Sequence, residues 1–317
     1  MSDRLNPEVA AVLAAFAEMR GGMAPPARGD AKALRGLFEK DWAMIAQAAP
    51  ARPNIQITEF FAATGDGAKI KLKWYVRNGS RPGAAVVYAH GGGMVMLSAD
   101  DYDFVVAEYV DATGVPFLSV DYRLAPESSG TALAGDTFTG VRWLIDNAHE
   151  LGVDPARIAI MGDSGGGGVA AGAAIVARDQ KILLAQQILI YPMLDDRNVT
   201  PDPLLASFAA TAWSYDHNFT GWNAVLGDAR GGPAVSPVAA PARLTDFSGL
   251  APAYIEVGDL DIFRDEDIAY ALGFARAGIP VELHVHPGVP HGYDRLIPNS
   301  DLVRRAMADR CRVVSAL

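Results

Sequence analysis

Residues 157–169 have the sequence RIAIMGDSGGGGV, and this stretch carries the main information about the fold. Its apolar first half predicts a short strand, and an alanine-rich helical pattern follows directly. Glycines stand two positions before and two positions after Ser164, so the backbone can cross itself closely there. A tight strand-to-helix turn of this kind exposes the serine hydroxyl at its apex. The stretch therefore predicts that Ser164 is a nucleophile on an α/β fold.

Short apolar segments alternate with helical patterns from about residue 55 onward. The predicted strands are residues 55–63, 68–77, 84–89, 116–120, 157–161, 187–191, 253–257 and 281–285. The predicted helices are residues 102–112, 137–150, 164–178, 266–277 and 301–317. The first two strands would pair antiparallel across a turn at residues 65–67. The alternation predicts a mostly parallel central sheet of about eight strands, with helices on both faces.

Two regions do not follow this alternation. Residues 1–50 predict helices before the sheet begins, and residues 196–240 interrupt the alternation between two strands. The second region contains four clustered aromatic side chains, namely Trp213, Tyr215, Phe219 and Trp222. Because ligands bind outside the carboxyl ends of parallel strands, we expect both regions to cover that edge as a cap, with 51–195 and 241–317 as the core. The alternative is peripheral decoration without a role in binding.

The composition is that of an ordinary globular protein of 317 residues, 50% of them hydrophobic and 20% charged. A net charge of −10 disfavours nucleic acids and anionic membranes as partners. The sequence has no apolar run of about 18 residues and no apolar signal-peptide core near its start, so we expect a cytoplasmic protein. Cys311 is the single cysteine, which excludes an intrachain disulfide.

A serine nucleophile needs hydrogen-bond donors that stabilise the oxyanion formed during attack on a carbonyl group. The sequence His90-Gly91-Gly92-Gly93 follows a predicted strand directly. Consecutive glycines expose backbone N–H groups and let a carbonyl approach without a side chain in the way. The N–H of Gly165, just after the nucleophile, would join them. The alternative, a flexible glycine loop without function, is less consistent with the second glycine cluster around Ser164.

The nucleophile also needs a base, and the chain has six histidines: His90, His149, His217, His284, His286 and His291. His284 and His286 alternate along a predicted strand and share one face, so a metal pair is conceivable, although no third ligand is apparent. His291 lies in a Gly- and Pro-containing loop beyond the last predicted strand. This position places it at the same edge of the sheet as the other loops, and it is our candidate base.

A carboxylate must orient the base. Four acids follow the predicted strand at residues 253–257, namely Asp259, Asp261, Asp265 and Glu266. The last two stand where a helix is predicted to begin, where acidic side chains suit the helix dipole. The spacing alone does not decide between Asp259 and Asp261.

Five motifs together resemble those of one known family. They are HGGG at 90–93, DYRLAPE at 121–127, GDSGG at 162–166, DIFRDE at 261–266 and GVPHG at 288–292. In this order and spacing the chain, from about residue 55 to its end, resembles the hormone-sensitive-lipase-like α/β-hydrolases, the bacterial family IV carboxylesterases. The chain order of nucleophile, acid and base is also that of α/β-hydrolases.

The resemblance implies a role for each candidate residue. It assigns the orienting acid to Asp261, and it makes Gly92, Gly93 and Gly165 the oxyanion donors, with Gly91 shaping the turn. It gives His90 a role in anchoring the loop, and it makes Tyr122, Arg123 and Glu127 braces of the glycine loop. Gly165 is a departure, since the family usually has alanine there.

The resemblance also implies the reaction and the partners. We expect a hydrolase of small carboxylic esters with short to medium acyl chains that needs no cofactor and no metal. Dimers formed through the last strand are frequent in the family, so the resemblance also implies a homodimer. An amidase, deacetylase or carbamate hydrolase would use the same side chains. A non-catalytic receptor on this scaffold would lack the histidine, which is present as His291. A dinucleotide-binding oxidoreductase is suggested by the glycines at 165 and 167, but no acid follows near residue 185 for a ribose hydroxyl.

Overall fold

The structure is a computed structural model that describes residues 4–21, 25–80, 83–209 and 212–317, apart from the side chains of residues 16, 17, 19, 20 and 209. The described strands are β1 (Ile55–Ala63), β2 (Lys69–Arg77), β3 (Ala85–Ala89), β4 (Phe117–Asp121), β5 (Ile158–Asp163), β6 (Gln187–Ile190), β7 (Ala253–Gly258) and β8 (Val281–His286).

The described helices divide into those before the sheet, those between its strands and those after it. They are α1 (Pro7–Arg20), α2 (Ala31–Ala48), α3 (Asp103–Thr113), α4 (Ala132–Asp146), α5 (Ala148–Leu151), α6 (Gly165–Asp179), α7 (Pro203–Ala209), α8 (Tyr215–Leu226), α9 (Arg264–Arg276), α10 (Tyr293–Leu296) and α11 (Asp301–Ser315). In this described part of the chain, none of the helices has the length and apolarity needed to cross a membrane.

The eight strands form one sheet in the order β1-β2-β4-β3-β5-β6-β7-β8. The β1–β2 and β2–β4 pairs are antiparallel, and every pair from β4 through β8 is parallel. The parallel strands β3, β5, β6 and β7 are buried along their whole length, because helices cover them on both sides. The predicted fold class, a mostly parallel sheet of about eight strands, is confirmed.

The direction of the crossovers explains where the site lies. From β3 the chain moves one way to β4, and from β4 it moves the opposite way, past β3, to β5. Right-handed crossovers in opposite directions place their helices on opposite faces of the sheet. Consistent with this, α3 packs with α11, whereas α4 packs with α6. The crevice outside β3 and β5 is the switch point at which ligands of such sheets bind.

The bounds of the other predicted strands and helices lie within two residues of the observed ones, but the helix predicted at residues 137–150 is wrong at its start. The helix α4 begins five residues earlier, at Ala132, and the chain then turns at Asn147 before α5. The Asn147 side chain donates to the carbonyl of Trp143 at 2.8 Å, which completes hydrogen bonding at the end of α4. The sequence Thr131-Ala132-Leu133-Ala134-Gly135 has a weak start signal, and burial of Leu133 and Ala134 against the sheet outweighs it.

Candidate active site

Ser164 lies at the apex of a strained turn between β5 and α6. Its φ angle of 55° is unusual for a residue with a side chain, and such strain is concentrated at functional sites. The turn is held by hydrogen bonds from Ser164 N to the carbonyl of Ile190 and from Met193 N to the carbonyl of Ser164, both 2.9 Å long. A Cβ atom on Gly162 would lie 2.3 Å from the carbonyl oxygen of Gly166, so the close crossing at this turn requires glycine.

The structure brings Ser164, His291 and Asp261 together, although up to 127 residues separate them in sequence. Ser164 Oγ lies 2.8 Å from Nε2 of His291, and Nδ1 of the same ring lies 2.7 Å from Oδ2 of Asp261. The other carboxylate oxygen of Asp261 accepts a hydrogen bond from Phe263 N at 3.0 Å. The Asp261 side chain is excluded from solvent, so it is oriented by these contacts and not by water.

The other three acids after β7 have different contacts. Asp259 accepts a hydrogen bond from Gly288 N at 2.6 Å and therefore supports the loop that leads to His291. Asp265 pairs with the neighbouring Arg264 at the surface. Glu266 is buried and accepts hydrogen bonds from the backbone N–H groups of residues 194 and 195, at 2.7 and 3.1 Å. Geometry thus separates Asp261 from Asp259, which spacing could not do.

The glycine loop after β3 lies directly against the nucleophile turn. Gly92 and Gly93 have φ angles of 111° and 57°, which favour glycine. A Cβ atom on Gly165 would lie 2.8 Å from the N atom of Gly93 and 2.6 Å from that of Met94, so the two backbones are in close contact. The arrangement brings the four glycines predicted for the oxyanion site, residues 91–93 and 165, to the edge of the sheet where Ser164 lies.

His90 is enclosed beneath this loop. Its Nδ1 atom donates to the carbonyl of Gly91 at 2.8 Å, and its ring stacks on Tyr122 at a centroid distance of 4.3 Å. The Tyr122 hydroxyl donates to the carbonyl of His90 at 2.7 Å. Burial lowers the pKa of His90, which keeps the ring neutral at physiological pH. These contacts fit a residue that anchors the loop.

Asp163, next to Ser164, is a buried acid that no sequence pattern singled out. Its carboxylate accepts hydrogen bonds from the hydroxyls of Tyr88 and Tyr102, at 2.6 and 2.8 Å. Burial raises the pKa of Asp163, and these two hydrogen bonds partly offset that effect. A Cβ atom on Gly91 would lie 2.4 Å from the Tyr102 hydroxyl and 2.7 Å from Asp163 Oδ2, so this network requires glycine at 91.

Tyr122, Arg123 and Glu127 make different contacts from one another. Tyr122 contacts the glycine loop directly, as described above. Arg123 instead joins Asp136 and Asp66, which connects α4 with the β1–β2 turn. Glu127 pairs with Arg35 of α2, and the Arg35 Nε atom donates to the carbonyl of Val95 at 2.7 Å. Arg35 thereby connects α2 to the chain just beyond the glycine loop.

The histidines of β8 lie away from this site. His284 and His286 share a face of the strand as predicted, with ring centroids 6.0 Å apart. Glu282, His284 and Asp309 place ligand atoms within 4.8 Å of one another, so acids that the sequence did not single out lie near one of the histidines. The guanidinium of Arg312 pairs with both carboxylates, which already supplies a positive charge there. His149 is exposed at the end of α5.

A cavity of about 140 Å³ opens onto Ser164 and His291. One side, which we call the lower wall, consists of Gly92, Gly93, Ser164 and His291 at the ends of the strands. The opposite side, which we call the upper wall, is mainly apolar. It consists of Phe38, Trp42 and Ile45 of α2 together with Trp213.

Trp213 is the member of the upper wall that lies nearest to the glycine loop. A Cβ atom on Gly93 would lie 2.2 Å from its ring, and its ring centroid is 6.4 Å from that of His291. The ring is held by Phe38, 5.8 Å away, and by a hydrogen bond of 3.3 Å from Nε1 to Asn218. The other predicted cap aromatics point elsewhere: Phe219 lies between the guanidinium groups of Arg28 and Arg230.

Comparisons with known proteins agree with this geometry. A family model described as alpha/beta hydrolase fold matches residues 86–295. The ethyl acetate hydrolase of Pseudomonas putida is 32% identical, over 99% of this chain and 98% of that protein. Esterase LipI of Mycobacterium tuberculosis is 34% identical over 77% of each chain.

The solved structure of a bacterial heroin esterase superimposes with a TM-score of 0.88 at 31% identity, covering 99% of this chain and 98% of that one. The motifs, the strand order and these similarities along most of the chain point to the same group of enzymes. This carboxylesterase therefore belongs to the hormone-sensitive-lipase-like family of α/β-hydrolases.

Proposed function

We propose that this carboxylesterase hydrolyses small esters with short to medium acyl chains, and that Ser164, His291 and Asp261 are its catalytic residues. The observation that carries the proposal is the row of two hydrogen bonds, 2.8 Å from Ser164 to His291 and 2.7 Å from His291 to Asp261, at the mouth of the cavity. Both distances lie within the range at which a proton passes between nucleophile and base.

The reaction would proceed in two halves. Ser164 Oγ attacks the ester carbonyl while His291 Nε2 accepts its proton, and Asp261 stabilises the imidazolium that results. His291 then gives this proton to the leaving alcohol as the C–O bond breaks, which leaves an acyl group on Ser164. Water repeats the sequence, with His291 as base, and releases the acid. The proposed chemistry needs no metal and no organic cofactor.

The negative charge that develops on the carbonyl oxygen needs donors already in place. Backbone N–H groups of Gly92, Gly93 and Gly165 are our candidates, with Gly91 fixing the turn. The close contact between the Gly165 and Gly93 backbones supports this assignment, because it brings their N–H groups to one small region beside Ser164. Removal of a single donor of this kind typically costs about 10²–10³ in kcat.

The size and the lining of the cavity support the substrate class. At about 140 Å³ it is close to the volume of a protein cavity of about 150 Å³ that accepts benzene. A pocket of this size accommodates one short acyl or alcohol group of an ester. Its apolar upper wall favours an uncharged group. The relative named for ethyl acetate acts, by its name, on a small ester of this kind.

The central test is Ser164→Ala, assayed with p-nitrophenyl esters of increasing acyl length. The variant should lose activity by at least about 10⁴-fold, and the wild-type chain should prefer the shorter esters. The matched control is Ser207→Ala on α7, which removes an exposed hydroxyl bonded to Leu204. A fluorophosphonate probe should label wild type and Ser207→Ala but not Ser164→Ala. Full esterase activity in Ser164→Ala would contradict the proposal.

The same three side chains can cleave amides and carbamates, so the choice of ester rests on the relatives named above. A p-nitroanilide and a p-nitrophenyl ester with the same acyl group separate the two chemistries directly. We expect kcat/KM for the ester to exceed that for the anilide by several orders of magnitude. A ratio near one would instead identify an amidase.

We further propose that residues 1–50 and 196–240 together form a cap over the core. The support is that α2 and Trp213, which come from these two regions, line the same cavity. Residues 1–3, 22–24, 210 and 211 of the proposed cap lie outside the described residues. The salt bridge from Arg35 to Glu127 connects one part of this cap to the core.

A homodimer formed through β8 is also proposed. The strand lies at one end of the sheet order, and Leu283 and Val285 on it are 37% and 40% exposed. Two further exposed apolar side chains, Ile268 and Leu272, lie on the neighbouring α9. Light scattering after size-exclusion chromatography should give twice the mass of the chain, and Leu283→Asp with Val285→Asp should give a monomer. A monomeric wild type would contradict this part of the proposal.

A further inference from the structure

The C-terminal helix α11 places a fully buried arginine behind the proposed active site. Arg310 lies on the same face of α11 as the buried Val303, Ala306 and Val313, a position at which an apolar residue is expected. Its guanidinium is 0% exposed. A charge in such a position is costly to bury unless it is paired and hydrogen-bonded, so its partners show what it does.

The two carboxylates that pair with Arg310 belong to the segments that carry the proposed acid and base, and its Nη1 atom also donates to the Tyr109 hydroxyl of α3 at 3.1 Å. Its Nε and Nη2 atoms donate to Glu256 of β7, with the Nε bond 3.1 Å long. Its Nη1 atom donates to Asp294 of α10 at 2.7 Å. Glu256 precedes Asp261 by five residues, and Asp294 follows His291 by three. One guanidinium therefore joins the strand that leads to the acid with the helix that follows the base.

A second set of contacts extends from this ion network to the His291 ring. The other oxygen of Asp294 accepts a hydrogen bond from the Tyr191 hydroxyl at 2.7 Å. The Tyr191 ring packs edge-on against His291, with a centroid distance of 4.8 Å and an interplanar angle of 72°. Tyr191 also has a strained φ angle of 36°, and its N–H donates to the backbone carbonyl of Glu256. Tyr191 is thus held at its hydroxyl by Asp294 and at its backbone by Glu256, and both of these residues are partners of Arg310.

The charges of the network are balanced. Burial alone would raise the pKa of Glu256 and of Asp294, but Arg310 acts on both carboxylates and Arg295 on Asp294, and the net effect is to lower both pKa values. Both acids are therefore ionised at neutral pH. Tyr254 and Tyr293 donate to Glu256 as well, each at 2.6 Å. Buried ion networks of this kind contribute little net stability compared with apolar packing, so orientation is the more consistent role.

We propose that Arg310 is a positioning residue that holds the segments carrying Asp261 and His291, together with Tyr191, in the geometry needed for proton transfer. The inference rests on the proposed function, because it assigns a support to that catalytic row. A displacement of about 1 Å in a reacting group can cost about 10²-fold in rate, so loss of this support should lower kcat. Substrate contacts in the upper wall are unaffected, so KM should change little.

The experiment compares Arg310→Met and Arg310→Lys in the full chain, with p-nitrophenyl acetate as substrate. Arg310→Met should lower kcat and the rate of fluorophosphonate labelling by about 10- to 100-fold, with KM within about twofold of wild type. Arg310→Lys should recover part of kcat, since an ammonium group can pair with one of the two acids. The matched control is Arg243→Met, which removes another buried ion pair, to Asp196. This control should lower the melting temperature and leave kcat within about twofold.

If Arg310→Met does not fold, two smaller substitutions in the same network test whether it positions the catalytic row. Asp294→Asn keeps the shape of the side chain and removes its charge, and Tyr191→Phe removes only the hydroxyl. Each should lower kcat by about three- to tenfold without raising KM, as expected for a modest loss of alignment. Folded variants with wild-type kcat and labelling rate would overturn the inference. If Ser164→Ala were inactive at the same time, the proposed function would stand and only the role of Arg310 would fall.

Discussion

The two sides of the active-site cavity are built on different principles. The lower wall consists of backbone turns at the ends of strands, fixed by hydrogen bonds and by contacts too close for any residue but glycine. The upper wall consists of side chains of α2 and Trp213, fixed by aromatic packing at centroid distances of 4.6 to 5.8 Å. Hydrogen-bond geometry tolerates small displacements poorly, whereas apolar packing can adapt with modest loss.

This difference indicates that the two walls have different roles, the lower wall in the rate of the reaction and the upper wall in the choice of ester. Changes in the lower wall should alter the rate of bond cleavage by orders of magnitude, since they act on the groups proposed to move charge and protons. Changes in the upper wall should alter which ester fits, with smaller effects on the chemical step. Arg35 connects the elements that carry the two walls. It lies on α2, and its guanidinium pairs with Glu127 and donates to the carbonyl of Val95, just beyond the glycine loop. Substitutions on each side test this division.

Among the substitutions that compare the two walls, Asp261→Asn should have the largest effect, because Asp261 contacts His291 of the lower wall. In the variant the amide oxygen should stay with the N–H of Phe263, so the NH2 group would face Nδ1 of His291 and hold the ring in the wrong tautomer. Such a change lowers kcat by about 10⁴-fold in a serine protease. Asp259→Asn is the matched control, because it lies two residues away and contacts the same loop through Gly288. It should reduce kcat by less than about tenfold, as expected for a residue that acts only through loop geometry. Steady-state kinetics with p-nitrophenyl acetate measures both, and a larger loss in Asp259→Asn would reverse the assignment of the acid.

Gly165→Ala should give the next largest effect. The family resemblance implies that alanine is usual at this position, but here the new Cβ atom would lie 2.6 Å from Met94 N and 2.8 Å from Gly93 N. Backbone cannot move aside as a flexible side chain can, so the oxyanion donors should shift and kcat should fall by about 10- to 100-fold.

Gly36→Ala in α2 is the counterpart of that substitution on the upper side. A Cβ atom at Gly36 has no neighbour within 4 Å among the described residues. Replacing a helical glycine by alanine should raise the free energy of unfolding by about 1 kcal/mol and leave kcat unchanged. Urea unfolding and esterase assays measure both outcomes. Equal activity losses in the two variants would contradict the division between the walls.

Trp213→Ala tests the upper wall itself. Removal of the indole should enlarge the cavity beside Gly93 and raise kcat/KM for p-nitrophenyl octanoate relative to the acetate by about tenfold. The kcat for the acetate should stay within about threefold of wild type. Trp143→Ala serves as control, because that ring packs on Phe60, away from the cavity. An unchanged preference in Trp213→Ala would show that another part of the cavity limits the acyl chain.

The difference between a lower wall of backbone turns and an upper wall of packed side chains also explains which features the sequence could predict. The turn at Ser164 and the glycine loop are local patterns, because neighbouring residues alone determine whether the backbone can cross itself or expose its N–H groups. The mostly parallel sheet of about eight strands was predictable from the alternation of elements alone, whereas the order of its strands was not predicted. Asp261 was separable from Asp259 only by family resemblance, since both acids follow the same strand and the deciding contact, with His291, spans 30 residues.

The upper wall and the supporting network were not predictable in this way. The aromatic cluster of the second cap region indicated a lid, but nothing in its spacing showed that Trp213 faces the glycine loop while Phe219 packs between two arginines. Arg310 looked like any charged residue near the end of a helix. The one sequence feature that indicated its burial was its position on the apolar face of α11 with Val303 and Val313. Its ion-pair partners could not be predicted, because they lie 16 and 54 residues away in sequence.

The smallest expected effect concerns the free energy of unfolding and its dependence on pH, through Asp267 on α9. This acid lies beyond the loop of Asp261, is fully buried, and has no hydrogen-bond partner for either oxygen among the described residues. Burial raises its pKa well above the usual value, and the charges of Glu266 and Asp261 raise it further. Between the ordinary pKa of about 4 and this raised value, the folded chain binds a proton that the unfolded chain has lost.

The free energy of unfolding should therefore fall as the pH rises through that window, and Asp267→Asn should weaken this dependence because it removes the titrating group. Melting temperatures of wild type and variant between pH 5 and pH 8 measure the difference. Asp265→Asn is the control, since that side chain is exposed and paired with Arg264. Parallel melting curves for wild type and Asp267→Asn would mean that the carboxyl gains water or a partner on ionisation. The surroundings of Asp261 would then tolerate a new buried charge, contrary to a rigid arrangement of the groups that support His291.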